Sequence, residues 1–179
     1  MEDQMRQLLA ACIDTTPVPA GSLPDIDLYM DQVLALLGER LRTGPEEKPL
    51  TKTMVNNYTK QKLLPKPTGK KYTPEHLKML VLLQCLKRSL SLEEIRRLLA
   101  AEGLAASPEG YDRERVAARY RDFEQVKESQ QELAVLLAEK MAACGVVGDL
   151  FGQVVYLANL AGALTLAAET LIASLPEEP

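Results

Sequence analysis

The chain predicts an all-α fold that ends in a C-terminal helical hairpin, and three observations predict it. Apolar residues recur at three-and-four spacing in segment after segment, the signature of amphipathic helices. Helix starts are marked by caps, above all Thr73-Pro74 and Ser91-Leu-Glu-Glu94. Between them, the stretch Pro65-Lys-Pro-Thr-Gly69 cannot continue a helix and reads as a tight turn or small hairpin. The 179 residues are 46% hydrophobic and 26% charged, which supplies a core and excludes a disordered chain.

The elements follow in order. Residues 2–13 form a short helix with Met5, Leu8, Leu9, Cys12 and Ile13 on one side, and Asp14 to Ser22 is a linker. Pro24-Asp25 opens a second helix to about Leu41, with Ile26, Tyr29, Met30, Val33, Leu34, Leu37 and Leu41 as its apolar set. Thr43-Gly44-Pro45 ends it. Thr51 caps a helix from Lys52 to about Lys62 that buries Val55 and Tyr58. After the Pro65–Gly69 turn, a helix runs from Thr73-Pro74 to about Arg88 with Leu77, Leu80 and Val81 inward and Gln84 interrupting that face. The Ser91–Glu94 capping box opens the next, through Ala101, with Leu92, Ile95, Leu98 and Leu99 inward.

Beyond the Gly103–Gly110 linker a long charged helix is expected from Asp112 to Cys144. Its stripe is Val116, Tyr120, Phe123, Val126, Leu133, Leu137 and Met141, interrupted by Gln130 and Gln131. Leu150 to Ala168 is nineteen residues without a charge. Gln153, Asn159 and Thr165 dilute it and its flanks, Asp149 and Glu169, are acidic, so the expectation is a buried or dimer-forming helix and not a membrane span. The organisation is an N-terminal helix and linker (1–21), a central domain (22–103) and a C-terminal helical dimerisation or effector region (104–179).

Composition also excludes. The lone histidine, His76, rules out sites built on paired imidazoles, and no metal or cofactor is expected. Cys12, Cys85 and Cys144 are far apart and odd in number, which argues for a reducing compartment; with no signal-peptide pattern at the start, a cytoplasmic protein is the expectation. Phosphate-loop, dinucleotide and nucleophile-elbow motifs are missing, and an enzyme is not expected.

Charge is the informative quantity. Residues 48–97 hold twelve Lys/Arg against three acids, a net +9, inside a chain whose overall charge is -4. A basic island in an acidic protein is the electrostatic footprint of a nucleic-acid-binding module.

Four motifs then line up across Leu50–Leu99: Thr51-Lys-Thr-Met-Val-Asn-Asn-Tyr58, Leu63-Leu-Pro-Lys-Pro67, Tyr72-Thr-Pro-Glu-His-Leu77 and Ser91-Leu-Glu-Glu-Ile-Arg-Arg-Leu-Leu99. In this order they resemble the winged helix-turn-helix domain of the MerR family of bacterial transcription regulators. The wider pattern, with Pro24-Asp-Ile-Asp-Leu-Tyr-Met30, resembles an uncharacterised bacterial family, domain of unknown function 1836. The resemblance implies a winged helix-turn-helix with a minimal wing, Pro65 to Lys71. Two departures stand out: Asn56, Asn57 and Tyr58 replace the family's Arg-Tyr-Tyr, and Lys62 stands where the family has glycine before Leu-Leu-Pro.

On this reading Lys52–Lys62 is a recognition helix for the major groove. Lys52, Thr53, Asn56, Asn57 and Lys60 form its outward arc, and Asn56 or Asn57 would bond adenine N6 and N7. Lys60, Lys62, Lys66, Lys70 and Lys71 would meet phosphates. Tyr58 and Tyr72 are expected to brace the wing, and His76 is a surface residue or a cap partner. The expected partners are double-stranded DNA and a second copy of the chain, joined through the long helix and the apolar terminal helix, with a small-molecule effector unidentified. The alternative is a helical interaction or scaffold protein whose helix-turn-helix no longer binds DNA.

Overall fold

The structure, a computed structural model, describes residues 2–13, 18–41, 48–107, 110–130 and 132–176. The chain is mostly helical, with one two-stranded sheet that the sequence reading lacked. Its elements are α1 (Glu2–Ile13), β1 (Leu28–Tyr29), α2 (Met30–Leu37), α3 (Lys52–Lys60), β2 (Lys71–Tyr72), α4 (Pro74–Leu86), α5 (Leu92–Ala101), α6 (Arg113–Ser129), α7 (Leu133–Ala143) and α8 (Leu150–Ala173). It divides into two compact units, 1–16 with 123–170 and 17–122 with 171–179. The Thr43-Gly44-Pro45 stop lies outside the described residues.

In the larger unit, α4 is the central element: Pro74 to Gln84 are buried apart from half-buried Lys78. This is why its apolar residues show so weak a stripe. Leu77, Leu80 and Val81 are buried as expected, but so are Met79, Leu82 and Leu83. Val33 and Leu37 of α2, Val55 and Tyr58 of α3, and Ile95 and Leu99 of α5 complete the buried set with Val116 and Tyr120 of α6. The Tyr120 hydroxyl donates to the Val18 carbonyl, joining the two ends of the unit's long segment.

The helix expected from Pro24 starts at Met30 instead. Leu28 and Tyr29 are drawn into antiparallel pairing with Tyr72 and Lys71, and extended Tyr29 becomes the cap, its N–H donating to the Gln32 side chain at 2.9 Å. Ile26 and Tyr29, placed on the apolar face by spacing, are therefore 64% and 51% exposed. Main-chain bonds from Gly38 to Leu34 and from Leu41 to Leu37 carry turns beyond the helix.

The smaller unit pairs α1 with α7. Met5 and Leu9 are buried with Ala134, Ala138 and Met141, and Ile13 and Leu137 pack at the margin. Leu8 and Cys12, expected on the same side, are exposed. The single helix expected from Asp112 to Cys144 is two. At Gln130 the N–H is shared between the Val126 and Lys127 carbonyls, and Leu133 N–H turns back to the Gln130 carbonyl. The break resets the buried side of α7 to Ala134, Ala138 and Met141, and Leu133 and Val126 of the expected stripe are exposed.

α8 departs most from expectation. It is long and apolar enough to cross a membrane by length and composition, with mean hydropathy 1.5, and no residue of its apolar window is buried. The expectation of a helix buried within the chain is overturned. Its only buried residue is Ile172, and only Tyr156 and Leu157 pack partly on the α1–α7 cluster.

Candidate nucleic-acid interface

α3 is set by local chemistry at both ends. Thr51 is extended (φ -116°, ψ 158°) and its Oγ1 accepts the Met54 N–H at 3.3 Å, as a capping threonine should. At the other end the Leu63 N–H reaches the Tyr58 carbonyl at 2.9 Å and the Lys62 N–H the Thr59 carbonyl at 3.2 Å. These are the two bonds of a Schellman cap, and they place Lys62 at φ 59°. A left-handed residue at this position is normally glycine. A lysine here holds the same turn at a conformational cost, and its side chain is exposed.

The helix has one buried and one solvent side. Val55 and Tyr58 are buried, and the Tyr58 hydroxyl hydrogen-bonds to Gln84 Oε1 at 3.2 Å. Gln84, which interrupts the apolar side of α4, is thus a buried polar partner that fixes α3 on its support. Lys52, Thr53, Asn56, Asn57 and Lys60 are all exposed. The Asn57 carboxamide accepts from the Gln61 side chain at 3.4 Å, a long contact that leaves it in solvent.

The chain then enters the turn that leads to β2. Gly69 (φ 58°) and Lys70 (φ 66°) are consecutive left-handed residues, and the Lys71 N–H closes on the Thr68 carbonyl at 3.0 Å. Two such residues make a type I′ turn, the tight form that suits twisted strands. Lys62, Lys66, Lys70 and Lys71 are exposed along this stretch. The Lys71 ammonium lies 5.5 Å from the Tyr29 ring centroid, a cation–π contact across the two strands. All nine residues singled out in the sequence therefore face solvent, five on α3 and four just after it.

Buried aromatics hold this surface from behind. Tyr72 is 3% exposed, and burial raises its hydroxyl above the ordinary tyrosine range. His76 lies edge-on between the Tyr72 and Tyr111 rings, with centroids at 5.6 and 5.7 Å. Its Nδ1 accepts the Thr73 N–H at 3.1 Å, so it is the cap partner of α4, buried and not on the surface. Burial holds its imidazole below the ordinary histidine range, against the opposing pull of the Pro65 main chain, Glu75 and Asp27. The Tyr111 hydroxyl donates to the Leu63 carbonyl at 2.8 Å, and burial pushes that hydroxyl strongly up.

Sequence reasoning missed Tyr29 and Tyr111, and it read Gln84 only as an interruption of its face. Tyr111 sits in a linker, where nothing local signals a contact with Leu63, 48 residues away. A polar residue on an otherwise apolar face was the one available signal for Gln84. Among the described residues no cluster of His, Cys, Asp and Glu is placed to hold a metal ion.

A family model for a domain of unknown function, DUF1836, matches residues 18–123. The chain belongs to the DUF1836 family. No curated protein and no solved structure matches it. The DUF1836 segment starts at Val18 and ends just past Tyr120, the two residues joined by a hydrogen bond. It encloses β1, α2 to α5, β2 and the first part of α6, and so carries every residue of the candidate interface.

Proposed function

We propose that the protein is a sequence-specific DNA-binding transcription regulator, with α3 as the recognition helix of a winged helix-turn-helix and two copies reading a palindromic site. The observation that supports this best is the two-sided build of α3. Val55 and Tyr58 are buried and anchored through Gln84, while Asn56, Asn57 and the neighbouring cations stand in solvent. That is the division of labour a groove-reading helix needs. Asn side chains favour adenine, and the type I′ turn brings Lys66, Lys70 and Lys71 to a short wing suited to phosphates. The basic surface lies in a unit without a recognisable catalytic motif, so the reading is non-enzymatic.

Fluorescence anisotropy with a mixed duplex pool, titrated from low to physiological salt, tests this. Binding should weaken steeply with salt, by about -0.9 in log–log slope for each phosphate neutralised. Changing Lys60, Lys66 and Lys70 together to Glu should abolish it while the circular dichroism stays unchanged. If wild type ignores duplex DNA even at low salt, the regulator reading fails and the basic surface belongs to a protein-interaction module.

A further inference from the structure

α3 and α5 end alike, and a cleft lies between the two segments that leave them. At α3 the Schellman cap turns the chain at Lys62. At α5 the Gly103 N–H closes on the Ala100 carbonyl at 3.0 Å and the Leu104 N–H on the Leu99 carbonyl at 2.7 Å, with Gly103 at φ 63°. The cleft has a volume of about 400 Å³, within the roughly 300–1,000 Å³ of small-molecule sites. A smaller one of about 180 Å³ shares Lys62 and Ala106 with it. The Tyr111 hydroxyl, bonded to the Leu63 carbonyl, ties the two segments together, so the cleft is built into the fold. We infer that it binds a small organic phosphate, a phosphate ester on an apolar body, and that this ligand and duplex DNA exclude one another. The exclusion rests on the regulator reading above; the site itself does not.

The lining carries the inference. Leu64 and Pro65 are buried and make an apolar floor, with half-buried Ala106 beside them. Lys62 and Lys66 line the same space with exposed side chains. The described residues that line the two clefts include no carboxylate. A phosphomonoester carries about -1.5 to -2 charges at pH 7, which two ammonium groups match better than they match one carboxylate. Thr59 and Ser107 also line the cleft. Their hydroxyls donate to the Val55 carbonyl at 3.2 Å and the Gly110 carbonyl at 2.8 Å, so they offer lone pairs and leave the anion to the lysines. The carbonyls at the two helix ends are likewise taken up by the cap N–H groups. A duplex backbone would meet the two ammonium groups but has nothing to lay on the apolar floor. Because Lys62 and Lys66 belong to both surfaces, one phosphate held there keeps another away.

Methyl NMR of the full chain with naphthyl phosphate as the probe gives the test. At constant ionic strength the Thr59 and Ala106 methyl signals should shift saturably, while those of Ala134 and Ala138 in the smaller unit stay in place. Inorganic phosphate should move them less, because it has no body for the apolar floor. Lys62→Gln combined with Lys66→Gln should weaken the probe about tenfold, the yield of two exposed charged contacts. Lys70→Gln, equally exposed but outside the lining, should leave it unchanged. Ala106→Leu narrows the cleft without altering its charge and should weaken the ester more than inorganic phosphate. Methyls that ignore the probe at millimolar concentration, inorganic phosphate binding as tightly as the ester, or full affinity in the double lysine variant would each overturn the site.

Probe-loaded protein should bind duplex more weakly, by the same factor that duplex weakens the probe; equal affinity overturns the exclusion. A chain that binds the probe and ignores duplex DNA keeps the site and removes the regulator reading, with the exclusion that rests on it. One that binds duplex while the probe leaves those methyls in place does the reverse.

Discussion

Lys62 carries opposing demands. Its backbone is left-handed to close α3, a conformation that costs a lysine about 1 kcal/mol and glycine almost nothing. Its ammonium lies on the surface proposed to meet phosphates. Lys62→Gly should therefore raise stability by about 0.5–1 kcal/mol and the Tm by a few degrees. The same change should lower the salt slope of duplex binding by about 0.9. Calorimetry and salt-dependent anisotropy on one variant read both effects. A gain in stability with no change in slope would place Lys62 off the phosphate path. Tyr58 makes a different case. Tyr58→Phe leaves the buried Gln84 carboxamide short of a partner, and urea unfolding should show a loss of about 1–3 kcal/mol.

At the scale of elements, caps explain what could be read in advance. Thr51, Thr73 and Ser91 each act within three residues of their own position, so α3, α4 and α5 start where the sequence places them. The outward arc of α3 was legible for the same reason, since helical spacing alone separates Val55 and Tyr58 from Asn56 and Asn57. β1 was not legible, because its partner lies beyond α3 and local spacing argued for helix. The α6–α7 break was visible only as two glutamines in a stripe. The cap of α4 also has a pH consequence. Folding holds the His76 imidazole below its ordinary pKa of about 6.5, so the unfolded chain takes up the proton first as pH falls. Stability from this group is present above about pH 6.5 and is lost on acidification towards the lowered folded value. His76→Gln keeps an acceptor at the third helical position. It should shrink the drop in urea midpoint between pH 7.5 and pH 5.5, and an unchanged drop would assign the acid sensitivity to other groups.

On the whole-molecule scale the two units have separate cores. Leu9→Asp puts a carboxylate among Ala134, Ala138 and Met141 and should unfold the smaller unit selectively. Hydrogen exchange should then show α1 and α7 losing protection while α4 and α5 keep theirs; uniform loss would mean one cooperative molecule. The bond from Tyr120 to Val18 has a bearing on the order of assembly. It spans 102 residues, and once made it holds Val18 and Tyr120 side by side. The pairing of α1 with α7 is remote along the chain, but after that clasp it closes only a short effective loop, at a correspondingly small entropic cost. α1 is thus free to join α7 late, after the larger unit has folded.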